Sequence, residues 1–252
     1  MRRTLVLAAS AVLAFSAAGF AAPPQTPAPG AYAAALADPV RTAEDKARDA
    51  TRHTAETLAF AEVQPGDKVA DMIIGGGYFT RAFSAAVGPD GHVTAWQPDE
   101  FIAFEADYGA SLTAADALAN VDGVRSPIGS PNFPQGLDLI FTAQNYHDLH
   151  LDPFAADTAS KVNAAAFAAL KPGGLYVIID HDAVAGSGIS VADSLHRIDI
   201  EAVKQEVAAA GFVLDGESSL LAQPSDPRTT NVFDPSIRGK TSQFMLRFKK
   251  PE

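Results

Sequence analysis

From residue 63 onward, short apolar runs and amphipathic stretches alternate along this chain in a regular order. Gln64-Pro65-Gly66-Asp67 has the composition of a turn, and residues 68–72 follow as a short apolar strand. Gly75, Gly76 and Gly77 come next, then a helical run over 78–87. A second turn, Gly88-Pro89-Asp90-Gly91, leads into a strand over 92–96. A helix-like stretch over 100–119 precedes a weak strand near 121–125 and a stronger one over 137–143. Val162, Ala165, Ala166, Ala169 and Leu170 recur at helical spacing and make one apolar stripe. Lys171-Pro172-Gly173-Gly174 ends that helix, and residues 175–179 are the most hydrophobic strand of the chain. Ile200, Val203, Val207 and Ala210 mark another helix, with Gly211 where a C-terminal glycine is expected. Residues 212–214 and 240–248 then read as two strands joined by a long polar loop, Phe244, Leu246 and Phe248 alternating as on a half-buried strand.

Strands alternating with helices predict an α/β fold with a doubly wound, mostly parallel sheet covered on both faces. Seven strands are foreseen, and the helix-free end of the chain predicts an antiparallel C-terminal edge. Upstream, Thr42 and Asp45 form a capping pair, and Ala43, Ala47, Ala50 and Thr54 at helical spacing predict one or two helices up to residue 60. In such a sheet, ligands sit beyond the C-terminal ends of the strands. That rule selects which polar residues deserve functional weight.

The first 22 residues change the picture. Arg2 and Arg3, an apolar run over 5–20 and small residues around 19–22 stand in the order of a secretory signal peptide. The run falls short of the ~20 apolar residues of a membrane span, and no second such run follows. The expectation is an exported, periplasmic or secreted protein with no stable membrane span after cleavage. Residues 23–40, rich in Pro and Ala, read as a linker, and 41–252 as one domain. There is no cysteine, so core burial alone must hold the exported domain. Lys and Arg number 19 against 30 Asp and Glu; without Arg2 and Arg3 the balance is 17 against 30, or about −13. So acidic a chain repels phosphate backbones and excludes nucleic acid as a partner. That balance says nothing about small molecules, and the expected partner is a small-molecule substrate, uncharged or cationic.

The glycines at 75–77 would let a ligand approach the backbone where the first strand meets the first helix; a tight turn without a ligand is the alternative. The context narrows this. Val63-Gln64-Pro65-Gly66-Asp67-Lys68-Val69, Gly88-Pro89-Asp90-Gly91-His92-Val93-Thr94-Ala95 and Leu170-Lys171-Pro172-Gly173-Gly174-Leu175 through Asp180-His181 resemble the lead-ins to the first, second and fifth strands of class I S-adenosylmethionine-dependent methyltransferases. The segment from His196 through Ala209-Ala210-Gly211-Phe212 to Arg238-Gly239-Lys240-Thr241 resembles a bacterial group of exported, predicted methyltransferases. The resemblance covers residues 43–251 and implies the Rossmann-like methyltransferase fold. It further implies that Asp71, Gly75, Gly76, Gly77 and Tyr78 cradle the methionine part of S-adenosylmethionine, that Gln97 faces the ribose, and that Asn145 lies beside the cofactor. Two departures stand out: Ile73 replaces the usual glycine, and Gln97 the usual acid, for which Asp99 or Glu100 could compensate if the Pro98 turn brings one back.

Two polar clusters fall at the C-terminal ends of strands that the resemblance implies are neighbours. They are Asn145-Tyr146-His147-Asp148-Leu149-His150 and Asp180-His181-Asp182, with His196 in a loop just beyond. His92 and His53 lie away from them. A histidine at such a mouth serves as general base, and Asp148, Asp180 or Asp182 would orient it or bind a polar acceptor. The catalytic set is therefore His147, Asp148, His150, Asp180 and His181. His147, His150 and His181 are also adequate zinc ligands, but their spacing matches no strong signature and no metal is assigned. Three functions remain open: a methyltransferase acting on a small molecule, a catalytically silent ligand-binding protein on the same fold, and a metal-dependent enzyme.

Overall fold

The computed structural model describes residues 27–252; the signal-peptide reading of 1–22 concerns residues outside that range. The elements, in chain order, are α1 (Ala33–Ala37), α2 (Ala43–Arg52), α3 (Thr54–Phe60), β1 (Lys68–Met72), α4 (Tyr78–Val87), β2 (His92–Pro98), α5 (Asp99–Phe104), α6 (Ala106–Asp116), β3 (Val121–Ser126), β4 (Leu137–Ala143), α7 (Thr158–Ala169), β5 (Leu170–His181), α8 (Ala192–Leu195), α9 (Ile200–Ala209), β6 (Val213–Ser218) and β7 (Gln243–Lys249). They build one seven-stranded sheet in the order β3-β2-β1-β4-β5-β7-β6. The pairs from β3 through β5 are parallel, whereas β7 runs antiparallel to both β5 and β6. The antiparallel strand is thus the last one in sequence, inserted between β5 and an outermost β6.

Period-two patterning divides the strands between two cores. Ala70, Met72, Ile140, Tyr176, Ile178 and Leu246 face one, packed under α7 and α9 by Val162, Ala166, Val203 and Val207. Val69, Leu139, Phe141, Val177, Ile179 and Met245 face the other, under Phe79 and Phe83 of α4 and Leu58 of α3. Each such aliphatic side chain contributes about 1.5–3 kcal/mol when fully buried. A strand buried on both faces reads as a continuous apolar run, which is why β4 and β5 were legible.

The elements differ from the expectation over 100–119 and 29–37, and the choice between one and two helices up to residue 60 is resolved as two. The stretch foreseen as one helix over 100–119 is two helices, because Glu105 is extended (φ −142°, ψ 118°). His53, at φ 47°, separates α2 from α3. Residues 29–37, inside the segment read as linker, form a 3-10 turn and α1 and pack onto the domain. Tyr32 is buried there with its hydroxyl 3.1 Å from the Leu58 carbonyl and 2.8 Å from that of Val63. At the start of α2 the capping pair forms reciprocally: Thr42 Oγ1 accepts the Asp45 N–H and Asp45 Oδ2 accepts the Thr42 N–H.

Strand order reverses at β1 and β4. Their following helices leave toward opposite faces, opening a crevice at the strands' C-terminal ends.

Candidate functional site

A cleft of about 900 Å³ fills that crevice. Asp71 at the end of β1, the turn at Ile73, Gly75 and Gly76, Asn145, His147 and Asp148 after β4, and His181 at the end of β5 all line it. His196 joins them from beyond α8. The glycine turn and both histidine segments therefore share one rim of the sheet, as the sequence requires.

The turn itself is strained. Ile73 sits at φ 63°, a left-handed conformation that costs a β-branched residue about 1–3 kcal/mol. Its N–H donates to the Trp96 carbonyl at 2.8 Å, and its own carbonyl accepts the Asn145 Nδ2–H at 2.9 Å. Asn145 Nδ2 is also 2.8 Å from the Ala143 carbonyl, so this amide pins the turn to the end of β4. A glycine meets this backbone demand without a Cβ; here the hydrogen bonds hold the strain instead. Added Cβ atoms at Gly75 and Gly76 would meet nothing within 4 Å, so these two glycines leave the backbone open toward the cleft.

Gln97 does not face the cleft. Its carboxamide is fully buried, Oε1 accepts the Gly75 N–H at 3.1 Å, and Nε2 has no partner among the described residues. The side chain braces the glycine turn from beneath, which corrects the expectation of a ribose contact. Asp99 is taken by Arg125, whereas Glu100 does line the cleft. Glu100 Oε2 accepts the Ile128 N–H at 2.9 Å, leaving Oε1 without a protein partner among the described residues. Tyr78 lies at the cleft but spends its hydroxyl on Asp49 (2.6 Å) and Thr54, tying α4 to the N-terminal helices. Gly77 caps α4 at φ 72° and its N–H is held by the Ile74 carbonyl.

Behind the rim, Asp180 is completely buried. It accepts the main-chain N–H of His147 (2.7 Å), the Nδ1–H of His147 (2.8 Å) and the main-chain N–H of His181 (2.7 Å). His147 Nε2 lies 3.1 Å from Asp148 Oδ1 and 3.3 Å from His196 Nδ1. Burial alone would lower the His147 pKa, but the carboxylates of Asp180 and Asp148 outweigh it and push the value up to about 10. Burial likewise disfavours the Asp148 carboxylate, yet the adjacent His147 holds its pKa below the ordinary value. His147 is thus an imidazolium at neutral pH and not the general base expected of it. His181 is its opposite: burial lowers it to about 4, so it is neutral. Its Nδ1 pairs with Thr241 Oγ1 at 2.9 Å, and Nε2 has no partner among the described residues. Asp71, also buried, is raised to about 7 while Thr80 donates to it at 2.6 Å.

His150 belongs elsewhere. It turns into the packing beneath the cleft, with Nε2 3.1 Å from Glu206 Oε2 of α9, because the 3-10 turn His147–His150 sends its two histidines to different sides. The ligand trio His147, His150 and His181 does not form. A different trio does: one donor atom each from His147, Asp148 and His196 lies within 4.8 Å of the others. Asp182 pairs with Arg228 and lies outside the cleft lining.

Sequence reasoning missed the aromatic wall of the cleft, Phe101, Phe104, Tyr108 and Phe154, since α5 and α6 carry no distinctive motif. It also left open what the loop over 223–240 covers. Val232 and Phe233 of that loop close the cleft, Phe233 packing edge-on against His196 at 4.8 Å between centroids.

This fold is found in known methyltransferases. A S-adenosylmethionine-dependent methyltransferase from Aquifex aeolicus is 19% identical, with 88% of this chain and 97% of that one covered at a TM-score of 0.56. A putative methyltransferase solved with the Haloferax volcanii Trm112 activator is 17% identical, with 83% and 94% covered at 0.57. The [4+2]-cyclase SpnF is 16% identical, with 80% and 81% covered at 0.54. No protein-family model matches the chain, and no curated protein matches it in sequence. The chain has the Rossmann-like fold of the class I S-adenosylmethionine-dependent methyltransferases. The cyclase is a reminder that the fold alone does not fix the reaction.

Proposed function

We propose that this protein is an exported S-adenosylmethionine-dependent methyltransferase acting on a small molecule. The observation that carries the reading is the open backbone of Gly75 and Gly76 on the same cleft as Asp71, His147 and His181. The residues present fit the cofactor: Asp71 and the glycine turn suit its methionine part, and the free oxygen of Glu100 suits a ribose hydroxyl. Export rests on the charge and apolar pattern of residues 1–22.

Bound S-adenosylmethionine would supply an electrophilic methyl group. The chain's own residues must orient a nucleophile in line with it, exclude water and accept a proton. Phe101, Phe154 and Phe233 wall the cleft against water. The His147 imidazolium, fixed by Asp180, offers positive charge to a nucleophile that is losing its proton. His181, held neutral by burial and paired through Nδ1 with Thr241, would take that proton on the same cleft. Titration calorimetry with S-adenosylmethionine and S-adenosylhomocysteine tests the reading; no heat at about 1 mM ligand, where even weak specific binding of about 4 kcal/mol registers, would exclude it.

One observation favours a metal-dependent enzyme instead: the trio of His147, Asp148 and His196, with Asp180 orienting the imidazole from behind as such sites often require. Elemental analysis of untagged protein decides. A stoichiometric transition metal supports this second reading, and its absence leaves methyl transfer. The strained Ile73 favours a third, a ligand-binding protein without turnover; methylated product under turnover conditions removes it.

A further inference from the structure

The described residues include nine arginines, and the chain disposes of six of them in one way. Arg41 faces Asp49, Arg81 faces Asp45, Arg125 faces Asp99, Arg197 faces Asp226, Arg228 faces Asp182 and Arg247 faces Asp215. Arg48, Arg52 and Arg238 have no carboxylate partner among the described residues. All three line a single chamber of about 440 Å³ that adjoins the main cleft. Among the described residues no Asp or Glu lines that chamber, in a chain that carries 30 of them.

The three guanidinium groups are held in place by other means. Arg48 and Arg52 stack on Tyr78 at 5.0 and 4.6 Å from the ring centre, and Arg238 lies over Phe233 at 5.9 Å. Arg52 also donates to Gln144 Oε1 at 3.2 Å. It is half-buried, and burial together with the like charge of Arg48 lowers its pKa to about 10. Gathering like charges without a carboxylate in contact is unfavourable; Asp45 and Asp71 act on Arg52 only at a distance, and the aromatic contacts orient the forks without neutralising them. The rest of the lining is largely apolar, with Ile179, Leu221 and Val232 among it. The main cleft shares Arg48 and Arg52 but sets Asp71, Glu100, Asp148 and Asp152 against them, so only the chamber, with Arg238 added, is purely cationic. Arg48, Arg52, His181 and Phe233 line both spaces and mark where they join.

We propose that this chamber binds the anionic group, carboxylate or phosphate, of a small organic ligand whose apolar body lies on Ile179, Leu221 and Val232. Guanidinium forks match both oxyanions, and three of them supply the charge that the protein withholds elsewhere. This reverses the expectation that the small molecule is uncharged or cationic. Net charge acts over a Debye length, whereas the field inside a chamber is set by the groups lining it. The binding site stands on the chamber alone. Its use as the seat of the methyl acceptor rests on the methyl-transfer reading.

The test is calorimetric titration of the folded protein at low salt with benzoate, phenyl phosphate and, as the neutral control, benzyl alcohol. At least one anion should bind at least tenfold more tightly than benzyl alcohol, and Arg52→Gln and Arg238→Gln should each weaken it by about tenfold. The two anions separate a carboxylate site from a phosphate site. Equal affinity for benzyl alcohol, unchanged binding in the variants, or no anion binding at about 10 mM would overturn the proposal. Arg238 is exposed, so Arg238→Gln decides the matter should Arg52→Gln fail to fold. A parallel titration with S-adenosylmethionine, whose cleft Arg238 does not line, reports separately on the cofactor, so either reading can fail without the other.

Discussion

Asp180 holds His147 at two points, accepting the main-chain N–H on Oδ2 at 2.7 Å and the ring Nδ1–H on Oδ1 at 2.8 Å. Two contacts between the same pair fix both the backbone after β4 and the tilt of the ring. They join adjacent parallel strands at their C-terminal ends, where the cleft begins. Since Asp180 Oδ1 also accepts the His181 N–H, one carboxylate organises both histidines of the cleft.

The charge of His147 should depend on that carboxylate. Asp180→Asn keeps the volume and removes the charge, so the His147 titration should move down from about 10 toward its ordinary value. Breaking a buried pair of this kind costs about 3–5 kcal/mol, so the variant should also melt well below the parent. NMR titration of the imidazole Cε1–H signals reads the first effect and thermal unfolding the second. A His147 signal that titrates unchanged in the variant would contradict the assignment.

Stability should follow pH accordingly. The folded-state pKa of His147 lies above its unfolded value near 6.5. Between those values the native protein binds the extra proton, so its stabilisation is complete below about 6.5 and is lost as pH rises through about 10. His147→Gln cannot titrate. The gap in urea midpoint between parent and variant should therefore narrow from pH 6.5 to pH 10 in paired unfolding curves. A constant gap would show that His147 is neutral throughout.

The sheet was legible because β1, β4 and β5 are largely buried on both faces and carry short, mostly apolar runs next to Gly- and Pro-containing turns, broken only by single polar residues such as Asp71 and Asp138. The rim was legible from one rule, that ligands collect at the C-terminal strand ends, and this placed Asp71, His147 and His181 together. What failed lay one rotation away. Gln97 and His150 occupy the right segments, yet their side chains turn into the packing, toward Gly75 and Glu206. Arg48 and Arg52 are neighbours one turn apart on α2, but Arg238 joins them only when the 223–240 loop folds over that helix, so the three carry no sequence signal as a group. Only the loss of carboxylate partners marks them, and pairing is a property of the folded chain.

The two acids after β2 should differ in their effect on cofactor binding. Glu100→Gln removes a charged acceptor from the cleft wall, while Asp99→Asn alters only the exposed contact with Arg125. A hydrogen bond to a charged group contributes about 1.5–3 kcal/mol, so Glu100→Gln should weaken S-adenosylmethionine binding by about tenfold or more. Asp99→Asn should leave it unchanged. Equal effects in calorimetry would remove Glu100 from the ribose assignment.

Ile73 sets two effects against each other. Its left-handed backbone costs about 1–3 kcal/mol, which Ile73→Gly releases. The buried side chain, packed in the core beneath the cleft, is lost in the same change, and large-to-small substitution of isoleucine in a core costs about 2–5 kcal/mol. Glycine also adds freedom to the unfolded chain, worth about 0.5–1 kcal/mol. The balance predicts a modest destabilisation, smaller than that of Ile140→Ala on the neighbouring strand, where no strain is released. Removing the branched side chain beside Gly75 should at the same time tighten S-adenosylmethionine. Chemical unfolding of both variants measures the first expectation and calorimetry the second. If Ile73→Gly loses as much stability as Ile140→Ala and binds no better, the residue is ordinary packing and the left-handed turn carries no strain worth releasing.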